Sequence, residues 1–130
     1  MHVLVVDDSK SMRKLLRRIL ILIGCEVSEA NDGQGALDQL IQGAQVDLMV
    51  VDWKMPVMNG FDLVRAVRAD ARLNGIRIMM ITSETSLDSV EQALAAGADE
   101  YLMKPFTPEI VQKKLALLGI NVGTYSLRGA

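Results

Sequence analysis

The sequence predicts an α/β fold: a doubly wound five-stranded parallel sheet, order 2-1-3-4-5, with helices on both faces. Two observations predict it. Three short runs, Val3-Leu4-Val5-Val6, Leu48-Met49-Val50-Val51 and Ile76 to Ile81 (interrupted by Arg77), are apolar without alternation, as strands buried on both faces are. Segments with the apolar period of helices lie between them, so strand and helix alternate five times along the chain.

The first strand is Val3 to Val6. The helix after it carries Met12, Leu15, Leu16, Ile19, Leu20 and Ile23 on one stripe. Ser9 or Ser11 can cap its start, and Gly24 ends it. Glu26-Val27-Ser28-Glu29 is a weaker second strand, followed by a short helix at Ala36, Leu37, Leu40 and Ile41 that closes at Gly43. The third strand is Leu48 to Val51. Past the turn Met58-Asn59-Gly60, a third helix is marked by Phe61, Leu63, Val64 and Val67. The fourth strand, Ile76 to Ile81, precedes a helix at Val90, Ala93 and Leu94 that stops at Gly97. Glu100-Tyr101-Leu102-Met103 is the fifth strand, and Thr107-Pro108-Glu109 opens the last helix, with proline in the first turn where it is tolerated. Crossovers in such units are right-handed, which gives the flavodoxin-like (βα)5 arrangement. No Gly-x-Gly-x-x-Gly follows the first strand, so a Rossmann dinucleotide site is not expected. Residues 1–118 are expected to form the domain and residues 119–130 a flexible C-terminal tail.

Half of the residues are hydrophobic and 23% are charged, the composition of one globular core. A net charge of −2 makes no field that would draw the chain to nucleic acid or an anionic membrane, and neither is expected as a partner. The single cysteine, Cys25, precludes an internal disulfide and reads as a small buried hydrophobe at the start of a strand. No apolar run approaches the ~20 residues that span a bilayer. The N-terminus runs directly into a strand pattern without the features of a signal peptide, so a cytoplasmic location is expected.

Sites in parallel α/β sheets form beyond the carboxyl ends of the strands, where the strand order reverses. That point lies here between strands 1 and 3. Strand 1 ends in Asp7-Asp8 and strand 3 in Asp52, so three carboxylates meet. Such charges need compensation, and an all-oxygen donor set selects a hard cation such as Mg²⁺. Capping of the first helix is the plainer role for one of the two adjacent acids, but it does not account for the third. The only histidine, His2, is at the chain start, which argues against zinc. Strand 4 ends in Thr82-Ser83 and strand 5 in Lys104-Pro105. A hydroxyl and an ammonium beside a metal-bound carboxylate make a cradle for a phosphoryl group. Taken singly, Thr82 reads as a turn residue and Lys104 as a solvated charge.

The runs around Asp7-Asp8-Ser9, Asp52-Trp53-Lys54-Met55-Pro56, Thr82-Ser83 and Lys104-Pro105-Phe106-Thr107 resemble the receiver domains of bacterial response regulators, most closely the single-domain, CheY-like chemotaxis type. The likeness covers roughly residues 1 to 118. It implies that Asp52 is the phosphoacceptor. Asp8 and Asp52 would ligate Mg²⁺ through side chains, Lys54 through its backbone carbonyl and Asp7 through water. Lys104 would pair with the phosphoryl group, the Lys104-Pro105 bond would be cis, and Thr82 and Tyr101 would move as switch residues. It further implies a sensor histidine kinase or phosphotransfer domain as donor and a downstream protein, a flagellar motor switch or other effector, as target. The domain would act as a monomer or a phosphorylation-dependent dimer, and would catalyse only its own phosphorylation and dephosphorylation.

Lys54 and Glu84 lie two residues after Asp52 and Thr82, where the family tunes the lifetime of the phosphoryl group, and the two can pair. The alternative reading is a receiver cut from a longer regulator with a DNA-binding or enzymatic output domain. A phosphatase of the haloacid dehalogenase kind is disfavoured, because Asp7-Asp8-Ser9 is not Asp-x-Asp; a flavin binder is disfavoured because Asp7 and Asp8 would repel its phosphate. Arg13, Lys14, Arg17 and Arg18 on the first helix form either a solvated face or a docking surface for an acidic donor. The eight methionines read as core gap-fillers.

Overall fold

The computed structural model describes residues 1–83 and 87–120, Leu87 by its backbone alone; the expected tail beyond Ile120 and the Glu84 side of the Lys54 pairing lie outside the described residues. The elements are β1 (His2–Val6), α1 (Lys10–Ile23), β2 (Glu26–Ala30), α2 (Gly33–Ile41), β3 (Leu48–Asp52), α3 (Gly60–Ala69), β4 (Arg77–Thr82), α4 (Leu87–Ala96), β5 (Glu100–Met103) and α5 (Pro108–Leu117). A single 3₁₀ turn, Ala71–Leu73, precedes β4 and has no apolar stripe to announce it. All strand pairings are parallel, and the sheet order is β2-β1-β3-β4-β5.

The uninterrupted apolar strands are explained by the two cores they serve. Val3, Val5, Leu48, Val50, Met79, Ile81 and Leu102 pack against Leu16, Ile19, Leu20 and Ile23 of α1 and Val111 and Leu115 of α5. The alternate residues, Leu4, Val6, Met49, Val51, Ile78 and Met80, pack against α2, α3 and α4 through Ala36, Leu40, Leu63, Val64, Val67 and Ala93. Each strand residue therefore faces one core or the other, as the two-residue strand period requires. Cys25 is buried just before β2, beside the α1 core. Leu15 departs from the expected stripe and is 45% exposed. It lies one residue, about 100° of helix rotation, from Leu16 and so falls off the face that the sheet covers. Among the described residues no helix is long and apolar enough to cross a membrane.

The helix ends follow the expected chemistry. Ser9, not Ser11, caps α1 by accepting the Met12 N–H at 3.2 Å. Gly24 closes it with φ 105°, a left-handed conformation that suits glycine. Thr107 caps α5, with Pro108 as its first residue. His2 is engaged away from the strand-end acids: its Nδ1–H donates to the Gln45 carbonyl at 2.6 Å, and Nε2 meets the Ser28 hydroxyl.

Two residues of the β3–α3 loop are under steric constraint. At Gly60 a Cβ would overlap the Asp52 carbonyl oxygen, so α3 starts in direct contact with the end of β3. Gly60→Ala is expected to lower stability by about 1–3 kcal/mol, as overpacking does; an unchanged melting temperature would show that the loop yields freely. Val57 is 92% exposed and has φ 68°, a left-handed backbone that β-branched residues resist. Val57→Gly should relieve about 1 kcal/mol and raise the melting temperature by a few degrees. A lower melting temperature for that variant would mean that the extra chain entropy of glycine in the unfolded state outweighs the strain relieved.

Candidate functional site

The topology sets β1 beside β3, with Val6 opposite Val51, so the residues that follow each strand emerge together. Carboxylate oxygens of Asp7, Asp8 and Asp52 all lie within 4.8 Å of one another. Asp7 and Asp52 are buried, while Asp8 is exposed at the rim. The Asp7 N–H extends the β1–β2 ladder to the Ala30 carbonyl at 3.2 Å. Its Oδ1 accepts the Ser9 N–H at 2.9 Å, and its own carbonyl accepts Arg13 Nη1 at 2.6 Å. Because Ser9 caps α1, neither acid is needed for that task. Asp7 Oδ2 is buried without a hydrogen-bond partner among the described residues.

Lys104 reaches this cluster from the end of β5. Its ammonium lies 3.3 Å from Asp52 Oδ1, and its backbone N–H donates to the Thr82 carbonyl at 2.9 Å. The Lys104–Pro105 bond is cis. Thr82 is the buried last residue of β4. Tyr101, on β5, is half-buried, with the Lys114 ammonium 4.2 Å from the centre of its ring. Lys114 is held there by Glu100 at 3.0 Å. Lys54 is exposed, and with Asp8, Trp53, Met55, Pro56 and Asn59 it lines an open hollow beside the acids. Asp7, Asp8, Asp52 and Lys104 thus converge at the carboxyl ends of the strands, with Thr82 joined to Lys104 through the backbone, while Tyr101 sits within β5.

Burial is the largest influence on Asp52 and pushes its carboxyl above the usual range; Asp8 adds to this, while Lys104 and the Lys54 backbone N–H pull it back. Asp7 is likewise pushed up, first by burial and then by the Asp52 charge, against the Ser9 hydrogen bond. A cation fits here on two counts. The donors are all oxygen, which a hard divalent ion prefers, and the orphaned Asp7 Oδ2 is a buried oxygen in need of a positive partner.

The sequence profile of the response regulator receiver domain matches residues 3–116. The chain belongs to the receiver domain family of response regulators. It is 45% identical over 123 residues to the chemotaxis protein CheY1 of Helicobacter pylori (strain ATCC 700392 / 26695), covering 93% of this chain and 99% of that protein. To the chemotaxis protein CheY of Pseudomonas aeruginosa it is 41% identical, over 88% of this chain and 93% of that one. The solved structure of the chemotaxis response regulator CheY4 of Vibrio cholerae superposes with a TM-score of 0.83 at 41% identity, covering 90% of this chain and 97% of that one. The chain is therefore a receiver domain homologous to the chemotaxis response regulators.

Two arginines of this receiver behave differently from the sequence expectation. Arg13 Nε and Arg17 Nη1 both bind Glu29, each at 3.2 Å, so neither is simply a solvated charge or a free docking contact. Glu29 was the one available signal, an acid in a strand beside the basic helix, but no spacing rule links residues 13 and 29.

The folded receiver holds the carboxyls of Asp7 and Asp52 above their ordinary value of 3.8. It therefore binds their protons more tightly than the unfolded chain does. That contribution to stability is complete below pH 3.8 and is lost as pH rises through the folded values. Near neutral pH without divalent ions, Asp52→Asn should stabilise the fold by roughly 1 kcal/mol. Thermal melts in chelator check this, and a lower melting temperature for the variant would show that the Lys104 pair outweighs the cost of burial and the Asp8 repulsion.

Proposed function

We propose that this receiver is a phosphorylation-activated switch of a two-component system, working in chemotaxis, with Asp52 as the phosphoacceptor. The observation that carries the reading is the Lys104–Asp52 pair, 3.3 Å long, set among three carboxylates at the strand-order reversal. A phosphohistidine of a sensor histidine kinase or phosphotransfer domain is the donor. An Asp52 carboxylate oxygen forms the new bond to phosphorus as the P–N bond breaks, and the imidazole leaves with the electron pair and takes up a proton. Asp8 and Asp52 through their side chains, Lys54 through its backbone carbonyl and Asp7 through water would hold Mg²⁺, which would supply charge neutralisation for the phosphoryl oxygens. Lys104 moves its ammonium from Asp52 to a phosphoryl oxygen. Thr82 gives that group a hydrogen bond which the bare carboxylate does not claim in the same place, and Tyr101 follows as the second switch residue.

The output is contact with a downstream protein, a flagellar motor switch or other effector, by a monomer or a phosphorylation-dependent dimer. The names of the relatives support chemotaxis, and their coverage supports a stand-alone receiver, since the chain spans 99% of CheY1. A receiver joined to an output domain is the second reading. It is favoured by the likeness to a response regulator/GGDEF domain protein, 32% identical with TM-score 0.83, of which the chain covers 48%. The setting is cytoplasmic, and the domain catalyses only its own phosphorylation and dephosphorylation. Lys54, at the rim of the site, tunes the phosphoryl lifetime.

Trp53 adjoins Asp52 and reports on the site. Its fluorescence should respond to Mg²⁺ and then to acetyl phosphate or beryllium fluoride, and Asp52→Asn should abolish the second response. A donor response that survives in Asp52→Asn would refute the assignment of the phosphoacceptor.

A further inference from the structure

We propose that Arg13 is a positioning residue of the cation site: its guanidinium, aimed by Glu29, pins the Asp7 carbonyl and thereby keeps the Asp7 carboxylate turned to Asp8 and Asp52. This rests on the reading of those acids as a Mg²⁺ site.

Arg13 lies in the first turn of α1, directly over the end of β1. Its Nη1 donates to the Asp7 carbonyl at 2.6 Å, a short charge-assisted bond. Its Nε donates to Glu29 Oε1 at 3.2 Å, which fixes the plane of the guanidinium. Glu29 is opposite Val5 in the β1–β2 register, and the next pair, Val6 and Ala30, leads directly to Asp7. Three bonds then hold Asp7: its N–H to Ala30, its carbonyl to Arg13 and its Oδ1 to Ser9. The remaining oxygen, Oδ2, is the buried one without a partner among the described residues. Releasing the carbonyl frees the peptide between Asp7 and Asp8, the two acids that must hold their geometry together.

Arg17, one turn further along α1, supplies an internal control. It binds the other oxygen of Glu29 at 3.2 Å and the Val27 carbonyl at 3.3 Å, and its bonds go to β2 instead of Asp7. Its side chain is 46% exposed against 16% for Arg13. If the arginines merely staple α1 to β2 through Glu29, the two are equivalent. If Arg13 positions Asp7, they are not.

The sign of the effect separates positioning from field. A guanidinium beside a cation site repels the cation, and removing it also leaves Glu29 less neutralised. Both changes favour Mg²⁺, so loss of charge alone tightens binding. Loss of positioning loosens it, and supports behind metal ligands are commonly worth about 10-fold or more in affinity.

The test titrates Mg²⁺ into the full chain, followed by Trp53 fluorescence, with metal-free thermal melts alongside. Arg13→Met should weaken Mg²⁺ binding about 10-fold, and Arg13→Lys, which keeps the charge but not the fork, by several-fold. Arg17→Met should stay within about twofold of the wild type even though its melt also falls, since it too loses a Glu29 bond. Unchanged or tighter binding in Arg13→Met overturns the proposal, as does equal loosening in Arg17→Met. Should Arg13→Met fail to melt cooperatively, Arg13→Lys decides by the same sign. A wild type that ignores Mg²⁺, or an Asp8→Asn variant that binds it equally well, would instead overturn the metal-site reading itself.

Discussion

Two buried carboxylates and a third at the rim, with oxygens within 4.8 Å, define the central constraint on this molecule. Like charges at that range repel by an amount that burial increases. Within the described chain, Lys104 and the backbone N–H groups of Ser9 and Lys54 offset part of it. Burial first, and the remaining repulsion after it, hold the Asp7 and Asp52 carboxyl pKa values up, and Asp7 keeps an oxygen unpartnered among the described residues. A site built this way has a standing demand for positive charge, which a cation can meet. Stability and responsiveness are opposed here, and the two apolar cores on either side of the sheet carry the stability.

Much of this arrangement is legible in the sequence because it follows from short-range rules. A strand buried on both faces is apolar along its buried stretch, so β1, β3 and β4 stand out as apolar runs, the last broken only by the exposed Arg77 at its start. Once the strand order is set, each strand's last residues must meet the others at one edge, and Asp7, Asp8, Asp52, Thr82 and Lys104 follow by position alone. The cis bond before Pro105 came from the family likeness and not from any physical pattern in the chain.

What was not legible depends on contacts between segments far apart in the chain. Arg13 and Arg17 read as a solvated or docking face because nothing local tells an arginine that Glu29 is within reach. His2 entered the sequence reading only as a chain-start residue in the argument against zinc, yet it ties β1 to Ser28 and Gln45. Leu15 matched the helical spacing and still faces outward, since spacing defines a stripe but not how much of it the sheet covers. Element ends moved by a residue or so, as at β4, which starts at Arg77 and not at Ile76.

The position of Lys104 shows how such a site can speak to the rest of the domain. Its ammonium is on Asp52, its backbone is bonded to Thr82, and it directly follows β5, where Tyr101 packs under Lys114. A change at Asp52 that recruits the ammonium therefore acts on a backbone already joined to β4 and β5. To turn a 1:99 population into 99:1, the new contacts must favour one packing by about 5.5 kcal/mol. One hydrogen bond to a charged group contributes only about 1.5–3 kcal/mol. On the proposed reading, a full switch therefore needs more than one such contact acting together. Lys104 and Thr82, at the ends of adjacent strands and joined by a backbone hydrogen bond of 2.9 Å, are placed to supply two of them.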